Sequence, residues 1–229
     1  MRLLLVALFG LFTYLRAGDA WRAVTFATED RSLDAAVDAL YDVLRLGVIA
    51  SFGVFIALRG PSARPSRDPI AFAACAAAVV SLVSLQAPGR SFPAGEVLAG
   101  DVIATISCLW QLVAVLALGR CFGFLPEARG LVTRGPYRLV RHPVYLGELG
   151  ACAGLIVAAP SSWNLGCGVA FAAAQAVRMR LEEQTLIAEF PSYSAYAATT
   201  PRLIPRLRTR GADGVSPLIG RARADSAPL

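Results

Sequence analysis

The sequence predicts an all-α fold: a polytopic membrane helix bundle of about six spans. Three observations predict it. Of 229 residues, 56% are apolar and 17% charged, with a mean hydropathy of +0.56, too apolar for an ordinary soluble domain. The apolar residues fall in long blocks, the form needed to cross a hydrocarbon layer. The arginines fall mostly in the gaps between those blocks.

The blocks run Leu3–Leu15, Leu40–Leu58, Pro69–Ala87, Val97–Leu118, Val144–Ala159 and Trp163–Val177. The first follows Arg2 and has the shape of a signal-peptide core. Arg16 and Asp19 stand where a small-residue cleavage site would lie, so it is read as a membrane helix. The last two blocks are separated by Pro160–Ser162 and predict a helical hairpin. Both are short for a span and need extension by their flanks or a thinned, protein-lined setting. Gly147, Gly150 and Gly154 recur at spacings of three and four, which predicts a face for close helix packing. The sixth helix should continue beyond the membrane as Arg178–Phe190. The final stretch, Gly211–Leu229, is polar and predicts disorder.

Net charge is +6, and all 22 basic residues are arginine. One set of loops holds Arg2, Arg59, Arg64, Arg67, Arg120, Arg129, Arg134, Arg138 and Arg141, and the tail adds more. The opposite set mixes Arg16, Arg22, Arg31 and Arg90 with acidic residues. Six spans place the two sets on alternate sides. The arginine-rich side is then cytoplasmic, with both termini inside. Basic charge that follows topology, without aromatic stacking partners, argues against nucleic-acid binding.

Other chemistries are also disfavoured. Cys75, Cys108, Cys121, Cys152 and Cys167 form no CxxC pair, and the chain has one histidine, which argues against a zinc or haem site. "GCGVAF" follows an oily helix, not a strand, and lacks the third glycine of a dinucleotide fingerprint.

Two stretches carry candidate chemistry. In "RHPVY", Pro143 sits where a helix begins, because its missing N–H is one that would be unpaired there anyway. The free N–H groups and positive dipole end of that helix point into the loop, with Arg141 and His142 just ahead. This arrangement suits an anion. The plain alternative is that the arginines anchor at headgroups and His142 caps the helix. In "VRMRLEEQTL", Arg178 and Glu182 share one helix face. Charges so close to an oily helix should face protein or water rather than lipid. His142, Arg141, Arg178, Glu182 and Glu148 are therefore expected around one cytoplasmic-edge cavity that carries both signs, as a zwitterionic ligand requires.

"GLVTRGPYRLVRHPVYLG", "RMRLEEQTLIAEF" and "YSAYAATTPRLIP", in that order, resemble the integral-membrane methyltransferases. That family includes isoprenylcysteine carboxyl methyltransferase and the phosphatidylethanolamine N-methyltransferases. The resemblance covers about 129–205 and implies a cytoplasmic pocket for S-adenosylmethionine (SAM). It places Arg129, Gly130, Leu131 and Val132 along the adenosyl portion, with Tyr137 following. It places His142, Pro143, Val144 and Tyr145 at the cofactor's amino-acid end, with Glu182 and Glu183 at its amino group. Arg178 would be the catalytic residue facing the methyl acceptor. The chain departs from the carboxyl methyltransferases at Thr199 and Thr200, where a basic residue is common, and at Pro191, where glycine is common.

The expected organisation is N-terminal membrane helices at 1–118, a methyltransferase-like cofactor region at 119–210 and a tail at 211–229. The expected activity is SAM-dependent methyl transfer to a lipophilic or prenylated acceptor, an isoprenylcysteine-like carboxylate first. A carboxylate needs only a cation to place it. An amine must lose a proton, which Glu148 or Glu183 would take. Alternatives are a lipid-amine methyltransferase, a non-enzymatic membrane scaffold and a sterol-reductase-like NADPH enzyme. Membrane lipids are expected partners.

Overall fold

A computed structural model describes residues 2–60, 68–86 and 92–205. The predicted tail at 211–229, and Arg64, Arg67 and Arg90, lie outside the described residues. The described elements are α1 (Arg2–Asp30), α2 (Leu33–Leu58), α3 (Pro69–Val83), α4 (Ala94–Leu118), α5 (Pro143–Ala158), α6 (Ser162–Glu189) and α7 (Tyr193–Thr199). Short 3-10 turns occupy Gly119–Cys121 and Gly135–Arg138.

The first helix is about twice as long as its apolar block. Nothing in residues 16–30 breaks a helix, and Asp19 is bridged by both Arg16 (3.0 Å) and Arg22 (2.6 Å) one turn away. The chain reverses at Arg31, which takes a positive φ of 56°. Ser32 then caps α2, its hydroxyl accepting from Ala35 N–H. That cap starts α2 seven residues before its apolar block. Asp68 likewise caps α3 by accepting from Ile70 N–H, with Pro69 in the first turn.

Among the described residues, three helices are long and apolar enough to cross a membrane: Arg2–Asp30, Leu33–Leu58 and the helical run Ala94–Cys121. α3 and α5 are apolar but shorter, with 15 and 16 residues, and the second half of α6 carries its charges. Exposed side chains such as Leu4, Leu11, Tyr14 and Trp21 along α1 suit contact with lipid.

Pairing differs from a simple C-terminal hairpin. α1 packs on α2, α5 packs mainly on α4, and α6 packs mainly on α3. α5 and α6 do meet, where Cys152 joins Phe171 and Ala174 in one buried cluster with Ala78 of α3. The helix-packing glycines explain why α4 wins α5. A Cβ on Gly154 would lie 2.6 Å from the Ala104 nitrogen and 2.6 Å from the Gly100 oxygen, so the two backbones touch there. Gly147 fits against Gln111 and Gly150 against Ser107 in the same way. Gly154→Ala should therefore lower stability by about 1–3 kcal/mol, read as a drop in the thermal midpoint in detergent. An unchanged midpoint would contradict this packing.

At the opposite end from the pre-α5 loop, Asn164 locks α6 to the chain after α3. It accepts from Gln86 N–H (2.9 Å) and donates to Gln86 O (3.0 Å) and Ala159 O (2.8 Å). These helices hold α5 and α6 so that their charged ends open on one cleft.

Candidate active site

The cleft lies between α2, the end of α4, the 119–132 loop, the start of α5, α6 and α7. Its empty volume, open mouth included, is about 860 Å³. Phe52, Leu118, Phe122, Phe124 and Val144 make an apolar wall. Arg141, His142, Glu148, Arg178 and Glu182 all line the same space, so the five charged or polar residues expected together are gathered there.

His142 occupies the position before α5, but its side chain makes no capping bond. Its Nε2 lies 2.9 Å from Glu183 Oε1 across the gap to α6. Simple capping therefore does not account for the imidazole. Trp110 Nε1–H donates to Pro143 O (2.9 Å), tying the first residue of α5 to α4. Val144 and Tyr145, on the first turn, line the cleft, where a helix start presents unpaired N–H groups.

On α6, Arg178 and Glu182 face the cleft but turn to different partners. The Tyr145 hydroxyl donates to Glu182 Oε2 (2.9 Å). Arg178 donates through Nη1 to Gln175 Oε1 (2.7 Å) and through Nη2 to Phe124 O (3.2 Å). Its guanidinium carbon sits 5.0 Å from the Tyr145 ring centre and 5.7 Å from that of Phe124. Glu148 is 3.7 Å from Arg178 and accepts from the Gln175 amide. The result is a buried polar triad of Glu148, Gln175 and Arg178 beside an apolar wall.

The predicted site residues divide. Gly130, Leu131, Val132, Tyr137, His142, Val144, Tyr145, Arg178 and Glu182 line the cleft. Arg129 turns away, toward Glu127 (2.5 Å) and the Gly60 carbonyl. Arg59 reaches the same Glu127 oxygen at 3.5 Å, so two guanidiniums share one buried carboxylate and fasten the loop to the end of α2. Pro143 is fully buried behind the first turn of α5.

Glu183 is also outside the lining. Its carboxylate meets His142, Arg141 (2.9 Å) and Arg202. Burial works to raise its carboxyl, but hydrogen bonds from His142 and Arg202 and the charges of His142 and Arg141 outweigh it, holding it down at about 2. A carboxylate so depressed is not a proton acceptor near neutrality. Its folded value lies below the ordinary 4.5, so its stabilising effect is complete above that pH and is lost as pH falls through about 2. The unfolding midpoints of wild type and Glu183→Gln should differ fully above pH 4.5 and converge toward pH 2. A difference independent of pH across that window would contradict the charge cluster.

Sequence reasoning did not assign Tyr193, Tyr196 or Glu127, all of which line the cleft. The tyrosines stood in the "YSAYAATTPRLIP" block without roles. Tyr196 donates to Tyr137 O (2.6 Å), drawing α7 over the Gly135–Arg138 turn. Three buried atoms of lining residues have no hydrogen-bond partner: Arg141 Nε, Arg178 Nε and the Tyr193 hydroxyl. Unmet donors around a cleft with both charge signs are what a polar ligand would satisfy.

Residues 94–192 match the family model of the phospholipid methyltransferases. That segment, less than half of the chain, is similar to the membrane phospholipid methyltransferases. It begins at α4, earlier than the resemblance read from the sequence, and contains every charged residue just described except Arg59 and Arg202. The protein is a membrane protein on this match and its apolar helices. The cobalt-zinc-cadmium resistance protein CzcN of Cupriavidus metallidurans is 35% identical over 109 residues, 47% of each chain. The nickel-cobalt-cadmium resistance protein NccN of Alcaligenes xylosoxydans xylosoxydans is 34% identical over 110 residues, again 47% of each. The chain spans about half the length of these curated relatives in the matched region.

Proposed function

We propose that the cleft binds S-adenosylmethionine and that the protein methylates a lipophilic acceptor, with an isoprenylcysteine-like carboxylate as the first reading. The observation that carries this is the separation of charges along the cleft. Glu182 is a carboxylate held by one tyrosine hydroxyl, and it suits an ammonium. Arg141, His142 and the start of α5 suit a carboxylate. The unpartnered Arg141 Nε and Tyr193 hydroxyl add donors at that end. Gly130, Leu131, Val132 and Tyr137 leave a mainly apolar wall for a flat adenosyl group.

The cofactor, when bound, supplies a sulfonium methyl group already activated for in-line displacement. The protein's task is then to orient and exclude water. Arg178, buried and stiffened by Gln175 and two aromatic rings, places the acceptor. Phe52, Phe122 and Phe124 on the apolar wall of the cleft would accept an oily tail. Lateral entry from the bilayer would explain a methyltransferase built in a membrane. Six crossings with both termini cytoplasmic, α3, α5 and α6 included, complete the proposal.

Glu148 on the cleft wall favours a second reading, a lipid amine, because it is a carboxylate beside Arg178 that can accept the proton an amine must lose. Incubating purified protein with lipid extract and methyl-tritiated SAM tests both. Base-labile label in a lipid ester supports the carboxylate, and label in a headgroup amine supports the second reading. No labelled lipid from folded, SAM-binding protein would overturn lipid methylation.

A further inference from the structure

The chain after α7 lies beyond the family match, which ends at 192, yet it returns to the edge of the cleft. Its backbone runs beside the loop that precedes α5. Arg141 N–H donates to Pro201 O (2.8 Å), and His142 N–H donates to Arg202 O (3.1 Å). Thr200, just ahead, is buried. The Arg202 side chain crosses to α6, donating through Nε to Glu183 Oε1 (3.1 Å) and through Nη2 to Oε2. The same Oε1 meets His142 Nε2 and Arg141 Nη1, both at 2.9 Å. One buried carboxylate thus joins three segments that are distant in sequence.

We infer that Glu183 and Arg202 are positioning residues, a clamp that presses the strap at 200–205 against Arg141–His142 and fixes how those two side chains face the cleft. Arg202 fills Oε2 of Glu183. Without it that oxygen would compete for the remaining N–H groups of Arg141, including the Nε that is buried without a partner. Arg141 would then turn from the cleft toward α6. Glu183 itself stays out of the lining, whereas its neighbour Glu182 is in it. The two adjacent glutamates therefore have different tasks: Glu182 meets the ligand, and Glu183 aims the groups that do. The clamp's geometry stands by itself. Its consequence for binding rests on the SAM reading.

The test uses the full chain in lipid nanodiscs with R202A, R202K, E183Q and the E183Q/R202A double variant. The Arg202 side chain is 44% exposed, so R202A keeps the fold even if E183Q does not. With one histidine in the sequence, ring-labelled protein gives one imidazole signal. That signal should move in R202A and E183Q without any ligand and stay in place in E182Q. Calorimetry with SAM should show affinity reduced about tenfold in R202A, partly restored in R202K, and no lower in the double variant than in E183Q. An unmoved imidazole signal with wild-type affinity in R202A would overturn the clamp. If the wild type binds no SAM, the cofactor reading fails, and the imidazole signal with amide exchange at 141–142 still decides the clamp.

Discussion

Arg178→Ala should reduce methyl transfer by about a hundredfold or more, because misplacing a reacting group by about an ångström is enough to do so. The same change should lower stability by roughly 3–5 kcal/mol, since it removes one partner from a buried charge pair and leaves the other stranded. The structure locates the cause. Glu148 loses its cation, Gln175 loses a donor, Phe124 O loses its bond, and the Tyr145 and Phe124 rings lose the group packed on them. Arg178→Lys separates the effects. It keeps the charge, and so most of the stability, but one ammonium cannot reproduce the planar fork that reaches Gln175 and Phe124 together. Single-turnover transfer and a thermal midpoint on each variant check this. A folded Arg178→Ala protein with wild-type transfer would remove Arg178 from the site.

Glu182→Gln should weaken SAM binding about ten- to a hundredfold, the magnitude of a lost hydrogen bond to a charged group. The amide oxygen of glutamine still accepts from the Tyr145 hydroxyl, so local geometry survives and stability should change little. Glu183→Gln behaves differently. It disturbs His142, Arg141 and Arg202 together and should cost stability in the pH-dependent way described above. Equilibrium titration with SAM alongside unfolding of both variants distinguishes them. Equal effects of the two changes on stability and binding would contradict the division of labour.

Much of the site could be read from the sequence because its signals are local. Proline after histidine marks a helix start, and an arginine and a glutamate at i, i+4 share a face. The short turn between two oily helices suggested that His142, Glu148, Arg178 and Glu182 share one edge, and they do line one cleft, though α5 packs mainly on α4 and α6 mainly on α3. What could not be read depends on long-range packing. Glu182 and Glu183 are adjacent and chemically identical, and the convergence of Arg141, His142 and Arg202 from two other segments decides that Glu183 is the one occupied. Arg129 likewise turns to the Gly60 carbonyl because α2 ends beside the loop, a contact with no local trace. In the fold, the glycine face of α5 was legible, but its partner was not: the close fit to Gly100, Ala104, Ser107 and Gln111 selects α4. The length of α1 was missed because the apolar block ends before the helix does, and charged residues continue the helix by pairing with each other.

On the proposed reading, one cleft receives a zwitterionic methyl donor between Glu182 and the Arg141–His142 edge. Isothermal titration of SAM into the purified full chain in nanodiscs tests it most directly, with His142→Ala and Glu182→Gln as comparisons. One SAM should bind per wild-type chain, with binding lost in His142→Ala and weakened in Glu182→Gln while all three proteins stay folded. Folded wild type that binds no SAM, or binds it equally well in all three, would contradict it.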